Sequence, residues 1–154
     1  MALQRIDAAG AELPPPPDRR AWLLAGEALH RQLRPKLPAD YAGTIERMLA
    51  EGVAMAQLVD EGAVAAIAVW RTYPTTYGGR RFEVDDLVTD EARRSRGHGR
   101  TLLDWLERRA LALGCPGVGL NSSCQRERAH RFYFRQGYRI SGFHFVKDLA
   151  PRGP

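Results

Sequence analysis

Long apolar runs and cysteines are both scarce in this sequence of 154 residues. Its two main apolar runs, residues 53–59 and 63–70, are far shorter than the roughly 18 residues that a membrane-spanning helix needs, which excludes a transmembrane protein. Only Cys115 and Cys124 are present, without the spacing of a zinc site, so a disulfide scaffold is excluded and no metal is expected. The first residues lack the apolar core of a secretory signal, which predicts a cytoplasmic protein.

The charge is unevenly distributed along a chain of ordinary globular composition, with 44% hydrophobic residues and a net charge of +5. Residues 1–90 hold ten Lys and Arg against thirteen Asp and Glu, whereas residues 91–135 hold ten Arg against four acids. The middle of the chain therefore predicts contact with an anion, either nucleic acid or a phosphorylated cofactor.

Proline divides the N-terminal part of the chain. Four consecutive prolines, residues 14–17, predict a loose leader over residues 1–17, followed by a single domain over residues 18–154. Asp18 is placed to cap a first helix that ends before Pro35, and Asp40 is placed to cap a second that ends at Gly52.

Three strands are predicted next. Residues 53–59 and 63–70 form an antiparallel hairpin through a tight turn, and residues 82–89 form a third strand. Simple alternation along this third strand places Glu83 and Asp85 on one face and Asp86 on the other. Acids on both faces are unusual for the interior of a strand.

The remaining pattern predicts a helix over residues 97–113, a short strand over 118–121, a helix over 127–136 and a final hairpin over 138–149. The whole chain thus alternates helices and strands, with most neighbouring strands joined as hairpins. We therefore expect a mixed α/β fold.

The segment before the long helix is suited to an anion. It reads Arg94-Ser95-Arg96-Gly97-His98-Gly99-Arg100-Thr101. Two glycines allow the backbone amides of the helix N-terminus to surround a phosphate, and three guanidiniums can pair with its oxygens. The segment lacks the Gly-Lys-Ser/Thr of a nucleotide-binding P-loop and the third glycine of a dinucleotide fingerprint, so ATP and NAD are disfavoured. A solvated, arginine-rich helix start is the alternative.

Two segments together resemble the GNAT superfamily of N-acetyltransferases. The first is Arg94-x-x-Gly97-x-Gly99 after a strand that ends Asp86-Leu-Val-Thr89, and the second is Ala129-His-Arg-Phe-Tyr133-Phe-Arg-Gln-Gly137-Tyr138. The resemblance spans about residues 20–149 and implies a twisted, mostly antiparallel sheet flanked by helices and splayed beside its fourth strand. No first strand is evident, unless it lies within residues 2–8.

The resemblance implies that the chain uses acetyl-CoA. The pyrophosphate would bind the segment from Arg94 to Thr101, chiefly the amides of residues 96–101, and the pantetheine arm would run beside Leu87, Val88 and Thr89. Amides near Leu87 and Val88 would hold the thioester carbonyl as an oxyanion site. Asn121 resembles a polar residue that contacts the pantetheine arm in some relatives, with helix capping as the alternative.

An amine acceptor has to lose a proton before it can attack, because an alkylamine is mostly protonated at pH 7. Glu83 lies fourteen residues before Gly97, the spacing at which relatives place a catalytic glutamate, and Asp85 is the second candidate base. Either acid could instead be solvated or paired with an arginine.

Tyr133 occupies the position at which many relatives carry the tyrosine that protonates the departing thiolate; a core aromatic residue is the alternative. His130 and His144 belong to a run similar to aminoalkylphosphonate acetyltransferases, where they would line the acceptor site. A hydrogen-bonded structural role is the commoner one for such histidines.

These features predict an enzyme that transfers acetyl from acetyl-CoA to a primary amine, of a small molecule rather than a protein, by direct attack in a ternary complex. Acids on the working strand suit a cationic amine, whereas histidines and arginines suit an acceptor with its own phosphonate or carboxylate. The alternatives are a non-catalytic module that binds acyl-CoA and, less favoured, a nucleic-acid-binding protein. The resemblance also implies a homodimer.

Overall fold

The computed structural model describes residues 3–149. Its strands are β1 (Leu3–Asp7), β2 (Glu12–Leu13), β3 (Val53–Asp60), β4 (Ala63–Thr75), β5 (Gly79–Thr89) and β6 (Val118–Leu120). Its helices are α1 (Arg19–Ala25), α2 (Glu27–Leu33), α3 (Tyr41–Ala50), α4 (His98–Ala112) and α5 (Glu127–Arg135), with one 3-10 turn at Glu91–Arg93. The strands form one sheet in the order β2-β1-β3-β4-β5-β6. Pairing is parallel between β1 and β3 and between β5 and β6 and antiparallel elsewhere, which confirms the predicted mixed α/β fold.

The structure divides into two compact units, one that ends at Leu120 and one that begins at Asn121. The first contains the whole sheet and α1 to α4, and the second contains α5. A single domain over residues 18–154 stays a prediction. Within residues 3–149, none of the helices combines the length and the apolar character required to cross a bilayer.

The N-terminal segment differs from the expected loose leader. Residues 3–7 form β1, which pairs in parallel with β3, and Ile6 is fully buried. The first strand therefore lies within residues 2–8, the alternative left open by the sequence. The prolines lie in the connection between β2 and α1, outside the strands, because proline has no amide hydrogen to donate within a sheet. Residues 1 and 2 lie outside the described part.

The first predicted helix is divided in two at Gly26. A Cβ atom at this position would lie 2.4 Å from Gln57 Nε2 and 2.9 Å from Ile67 Cδ1, so two buried side chains of the sheet would have to move to make room for it. Gln57 Nε2 also donates to the carbonyl of Trp22 at 3.2 Å. This close approach fixes α1 and α2 on the sheet.

Each face of the sheet has its own apolar layer. On one face, α1, α2 and α3 pack against side chains that include Met55, Ile67 and Val88. On the other face, Trp70 contacts both Phe82 and Trp105 of α4, with ring centroids 5.8 and 5.6 Å apart. β5 therefore lies between two helical layers.

One predicted hairpin is confirmed and the other is wrong. β3 and β4 pair through Glu61 and Gly62, both with positive φ, as a tight hairpin turn requires. Residues 138–149, by contrast, form no strand in the described part of the chain, and apolar side chains such as Phe143 and Phe145 are exposed. An apolar pattern shows that a segment can form a strand, but a strand also needs a partner.

Candidate active site

A bulge in β5 decides where its acids lie. Val69 of β4 is opposite Asp86, but the next residue, Trp70, is opposite Val84, so Asp85 is an extra residue in β5. Glu83 lies opposite Arg71, two residues from Val69 on β4, so Glu83 and Asp86 share one face of the sheet. The prediction that Asp86 faces away from Glu83 is therefore wrong, because one inserted residue reverses the alternation after it.

The sheet opens beside the same strand. β6 pairs only with Phe82, Glu83 and Val84. From residue 85 to residue 89, the structure as described gives this edge of β5 no partner strand. Backbone amides and carbonyls on such an edge are available to an extended ligand. The resemblance implies a splay beside the fourth strand, whereas this opening lies beside the fifth of the described strands.

Glu83 is nearly buried, with 12% of its side chain exposed. Its Oε2 lies 3.2 Å from Arg81 Nη2. Gly119 is its neighbour on β6, and a Cβ atom there would lie 2.6 Å from Oε2. The glycine therefore provides the space that the carboxylate occupies.

Asp85 pairs with an arginine of the adjacent strand. Its Oδ2 accepts from Arg71 Nε at 2.8 Å, and Arg71 Nη2 lies 2.7 Å from the same oxygen. About a quarter of the Asp85 side chain and half of the Arg71 side chain are exposed. The guanidinium therefore faces solvent more than the carboxylate does.

Asp86 belongs to a buried network that links β5 to α2 and α3. Its Oδ2 lies 3.0 Å from His30 Nε2, and its Oδ1 accepts from Arg34 Nε at 2.7 Å. His30 Nδ1 lies 3.0 Å from the Tyr41 hydroxyl. Sequence reasoning missed this network; the available signal was that His30 lies seven residues after Leu23, two turns along a buried helical stripe.

The protonation states in this network follow from burial and hydrogen bonding. Burial opposes the ionisation of Asp86, but hydrogen bonds from His30 and Arg34 outweigh it and hold the pKa of Asp86 below its ordinary value. Burial, together with the charge of Glu27, raises the pKa of Tyr41, so its hydroxyl keeps its proton. Because the ionised carboxylate of Asp86 can only accept, Nε2 of His30 is the donor in their contact.

Asp86→Asn is expected to lower the free energy of unfolding at pH 7 by about 1–3 kcal/mol, because it removes a buried charge that two cationic or polar donors satisfy. The pKa of Asp86 is lower in the folded than in the unfolded protein, so its ionisation stabilises the fold above about pH 4. This contribution is lost as the pH falls through the folded pKa. The difference between variant and wild type should therefore shrink between pH 7 and pH 3 in urea unfolding.

Asp104→Asn is the matched control, since Asp104 is an exposed acid 3.7 Å from Arg100 on α4. It should change the free energy of unfolding little at either pH. An Asp86→Asn variant as stable as wild type at pH 7 would contradict the role assigned to the network.

The segment of residues 94–101, predicted to bind an anion, begins α4 without a side-chain cap. Ser95 and Gly97 have positive φ, and Gly97 is the N-cap residue. The amides of His98, Gly99 and Arg100 fall in the first turn, where a helix offers no backbone acceptor. These three amides therefore have no partner within the helix, and they lie at the positive end of its dipole.

The side chains of this segment fix its position. His98 is buried, and its Nε2 lies 3.0 Å from Asp60 Oδ2 at the end of β3. The Thr101 hydroxyl lies 3.5 Å from the carbonyl of Ala8. The three arginines have acidic neighbours: Arg94 with Glu91 at 2.6 Å, Arg96 with Glu61 at 3.7 Å and Arg100 with Asp104 at 3.7 Å.

The second unit holds the other predicted site residues. The Tyr133 ring lies 5.4 Å from that of Phe132, and burial raises the pKa of Tyr133 above its ordinary value. His130 Nε2 donates to the carbonyl of Ser123 at 3.0 Å. Asn121, directly after β6, and His144 are both exposed.

A cavity of about 670 Å³ lies away from these acids, among side chains of α1, α2, β3 and β4 that include Trp22, Leu29 and Val64. None of Glu83, Asp85 and Asp86 lines it. Among residues 3–149, no three acidic, histidine or cysteine side chains converge as metal ligands would. The candidate site is therefore the open edge of β5 rather than this cavity.

Comparison with known proteins places this geometry in context. The model of the acetyltransferase (GNAT) family matches residues 20–138. The chain is 39% identical over 67 residues to the aminoalkylphosphonate N-acetyltransferase of Salmonella typhimurium, a stretch that covers 44% of each chain. It is 33% identical over 93 residues to YhdJ of Bacillus subtilis, described as an uncharacterized N-acetyltransferase, covering 60% of this chain and 66% of that one. The matches thus span less than two thirds of either relative.

Solved structures share the fold over greater lengths. A Trypanosoma brucei acetyltransferase has a TM-score of 0.71 at 25% identity, covering 86% of this chain and 96% of that one. The aminoglycoside N-acetyltransferase AAC(6')-Iy, solved in complex with CoA, has a TM-score of 0.74 at 17% identity, covering 86% and 92%. At that identity, the second likeness concerns the fold alone.

Proposed function

This chain belongs to the acetyltransferase (GNAT) family, and we propose that it transfers an acetyl group from acetyl-CoA to a primary amine of a small molecule. One observation carries the proposal: the unpaired edge of β5 ends nine residues before the uncapped N-terminus of α4. An extended pantetheine arm fits the first feature and a pyrophosphate fits the second.

The proposed position of acetyl-CoA uses the backbone more than side chains. The amides of residues 98–100 bind the pyrophosphate, with Arg94, Ser95, Arg96 and Thr101 around it. Leu87, Val88 and Thr89 line the pantetheine arm, and an amide near Val88 stabilises the oxyanion that forms at the thioester carbonyl. Asn121, exposed immediately after β6, is proposed to contact the same arm.

Glu83 is the proposed base. It takes a proton from the acceptor ammonium, directly or through water, and the neutral amine then attacks the carbonyl carbon. As the tetrahedral intermediate collapses, the attacking nitrogen loses its second proton to solvent, the C–S bond breaks, and the thiolate leaves. Asp85, which Arg71 contacts twice at 2.7 and 2.8 Å, is the second candidate.

Tyr133 is proposed, from the sequence motif, to protonate the leaving thiolate. Its raised pKa keeps the hydroxyl protonated at neutral pH, as a general acid requires. Tyr133→Phe should lower kcat about tenfold, a modest loss because a thiol of pKa near 8.5 leaves readily. Steady-state kinetics would measure it, with Tyr138→Phe as control, since that ring lies 5.9 Å from Tyr133. Equal losses in both variants would contradict a specific role.

The function itself is tested by calorimetric titration of acetyl-CoA followed by assays of thiol release with a panel of primary amines. Micromolar binding and amine-dependent thiol release would support acetyl transfer. Binding without release for any amine would favour a non-catalytic module that senses acyl-CoA. A folded protein that does not bind acetyl-CoA would exclude both.

A further inference from the structure

We propose that Arg34 and Arg71 form an anion-binding subsite beside β5, so that the acetyl acceptor carries a carboxylate or a phosphorus oxyanion a few bonds from its amine. This inference rests on the proposed acetyl transfer and names the substrate class. Its basis is the arrangement of three acid–arginine pairs along one strand.

In all three pairs the guanidinium is more exposed than the carboxylate. The exposed fractions of the acids are 12% for Glu83, 26% for Asp85 and 12% for Asp86. The arginines paired with them, Arg81, Arg71 and Arg34, are exposed by 43%, 51% and 52%. A molecule that approaches this part of β5 therefore meets cations first.

Two of these guanidiniums converge on adjacent residues. Arg34 Nη2 lies 2.6 Å from Asp86 Oδ1 and donates to the main-chain carbonyl of Asp85 at 3.3 Å. Arg71 binds the side chain of the same Asp85. Arg34 directly follows α2 and Arg71 lies on β4, and the residues that they bind, Asp85 and Asp86, immediately precede Leu87, beside which we place the pantetheine arm.

Charge selects between the two kinds of acceptor. A simple alkylamine or a polyamine is a cation and would have to displace arginines without giving them a new partner. An amine that also carries an anion can exchange ion pairs instead: its ammonium binds a carboxylate of β5 while its anion binds the released guanidinium. The Arg71–Asp85 pair is partly exposed, and such pairs contribute little to stability, so exchanging it costs the fold little.

The buried network supports the exchange at Arg34. Asp86 keeps its hydrogen bond from His30 when Arg34 turns toward a ligand, so the carboxylate is not left without a partner. Arg71 can likewise turn away from Asp85, whose side chain is accessible to an ammonium. Both arginines have the planar fork that binds carboxylate and phosphonate through two hydrogen bonds.

The test compares matched acceptors with the full chain at saturating acetyl-CoA. We would measure thiol release with 2-aminoethylphosphonate against ethylamine, with β-alanine against propylamine, and with spermidine as a polyamine. We expect kcat/KM to be at least about 100-fold higher for the anion-bearing member of one pair or both, as two charge-assisted hydrogen bonds can provide.

Variants then assign the effect to the arginines. Arg71→Gln should raise KM for the preferred acceptor at least about tenfold, with a much smaller change in kcat and in the kinetics of the plain amine. Arg34→Gln should act in the same way and provides a second reading if either variant is poorly folded. Arg80→Gln is the control, because Arg80 is an exposed arginine of β5 that bonds Thr72 Oγ1 rather than an acid.

Each remaining outcome has one meaning. If ethylamine, propylamine or spermidine reacts with a kcat/KM equal to that of the anion-bearing amines, the subsite is overturned but acetyl transfer is not. The subsite would also be overturned if the protein binds acetyl-CoA but acetylates neither 2-aminoethylphosphonate nor β-alanine. Failure to bind acetyl-CoA would remove the proposed function on which it rests.

Discussion

Gly99→Glu is expected to weaken acetyl-CoA binding about 100- to 1000-fold without unfolding the protein. The new carboxylate would lie in the first turn of α4, among the amides to which we assign the pyrophosphate. Two like charges about 4 Å apart repel by roughly 4 kcal/mol at the effective dielectric constant of a protein surface, which corresponds to about three orders of magnitude in Kd. An acid is otherwise favourable at a helix N-terminus, so the fold itself should tolerate the change.

Leu111→Glu is the control for this variant. Leu111 lies on the same helix about three turns later, with 68% of its surface exposed, so the same charge is added far from the anion-binding amides. Calorimetry would measure both Kd values, and circular dichroism would verify the fold. Unchanged binding by Gly99→Glu would contradict the position proposed for acetyl-CoA.

Features determined by neighbouring residues could be predicted from the sequence. The β3–β4 hairpin follows from two apolar runs around Glu61-Gly62, and the start of α4 follows from the two glycines of its loop. In each case the residues that define the pattern also define the local backbone. The resemblance to the family then predicts how these local elements combine into one fold.

The acids of β5 show where such reasoning fails. Alternation assigns a face correctly only while every residue has a partner on the neighbouring strand. The pairing of Trp70 with Val84 leaves Asp85 without such a partner on β4. The bulge depends on the register of β4, which no pattern within β5 reveals. Simple alternation therefore placed Asp86 on the wrong face and missed its contacts with His30 and Arg34.

The N-terminus shows a related failure. β1 is only five residues long and pairs with β3, some fifty residues later in the chain, so its stability comes from a distant partner rather than from its own pattern. The prolines after it are a strong local signal for irregular structure, and the prediction of a loose leader rests on them. Gly26 is similar, because the side chains that a Cβ atom there would meet belong to Gln57 and Ile67, distant in the sequence.

The largest expected effect on turnover comes from Glu83. Glu83→Gln keeps the shape of the side chain but removes the base, so kcat should fall about 100- to 1000-fold while the Kd of acetyl-CoA stays unchanged. The loss should shrink as the pH approaches the pKa of the acceptor amine, near 10.4, since an amine that is already neutral needs no base. Asp85→Asn should cost much less. If Asp85→Asn abolishes turnover instead and Glu83→Gln does not, the base is Asp85.

Gly119→Ala tests the same carboxylate without altering its chemistry. The added Cβ would lie 2.6 Å from Glu83 Oε2 and 3.2 Å from Arg81 Nη2, the ends of two flexible side chains, so these can move aside while the backbone stays in place. We therefore expect a Tm close to that of wild type but a kcat about tenfold lower, because proton transfer depends on position. Gly117→Ala is the control, since a Cβ there meets nothing within 4 Å. A lower kcat for Gly119→Ala alone would show that the position of Glu83, as well as its charge, determines the rate.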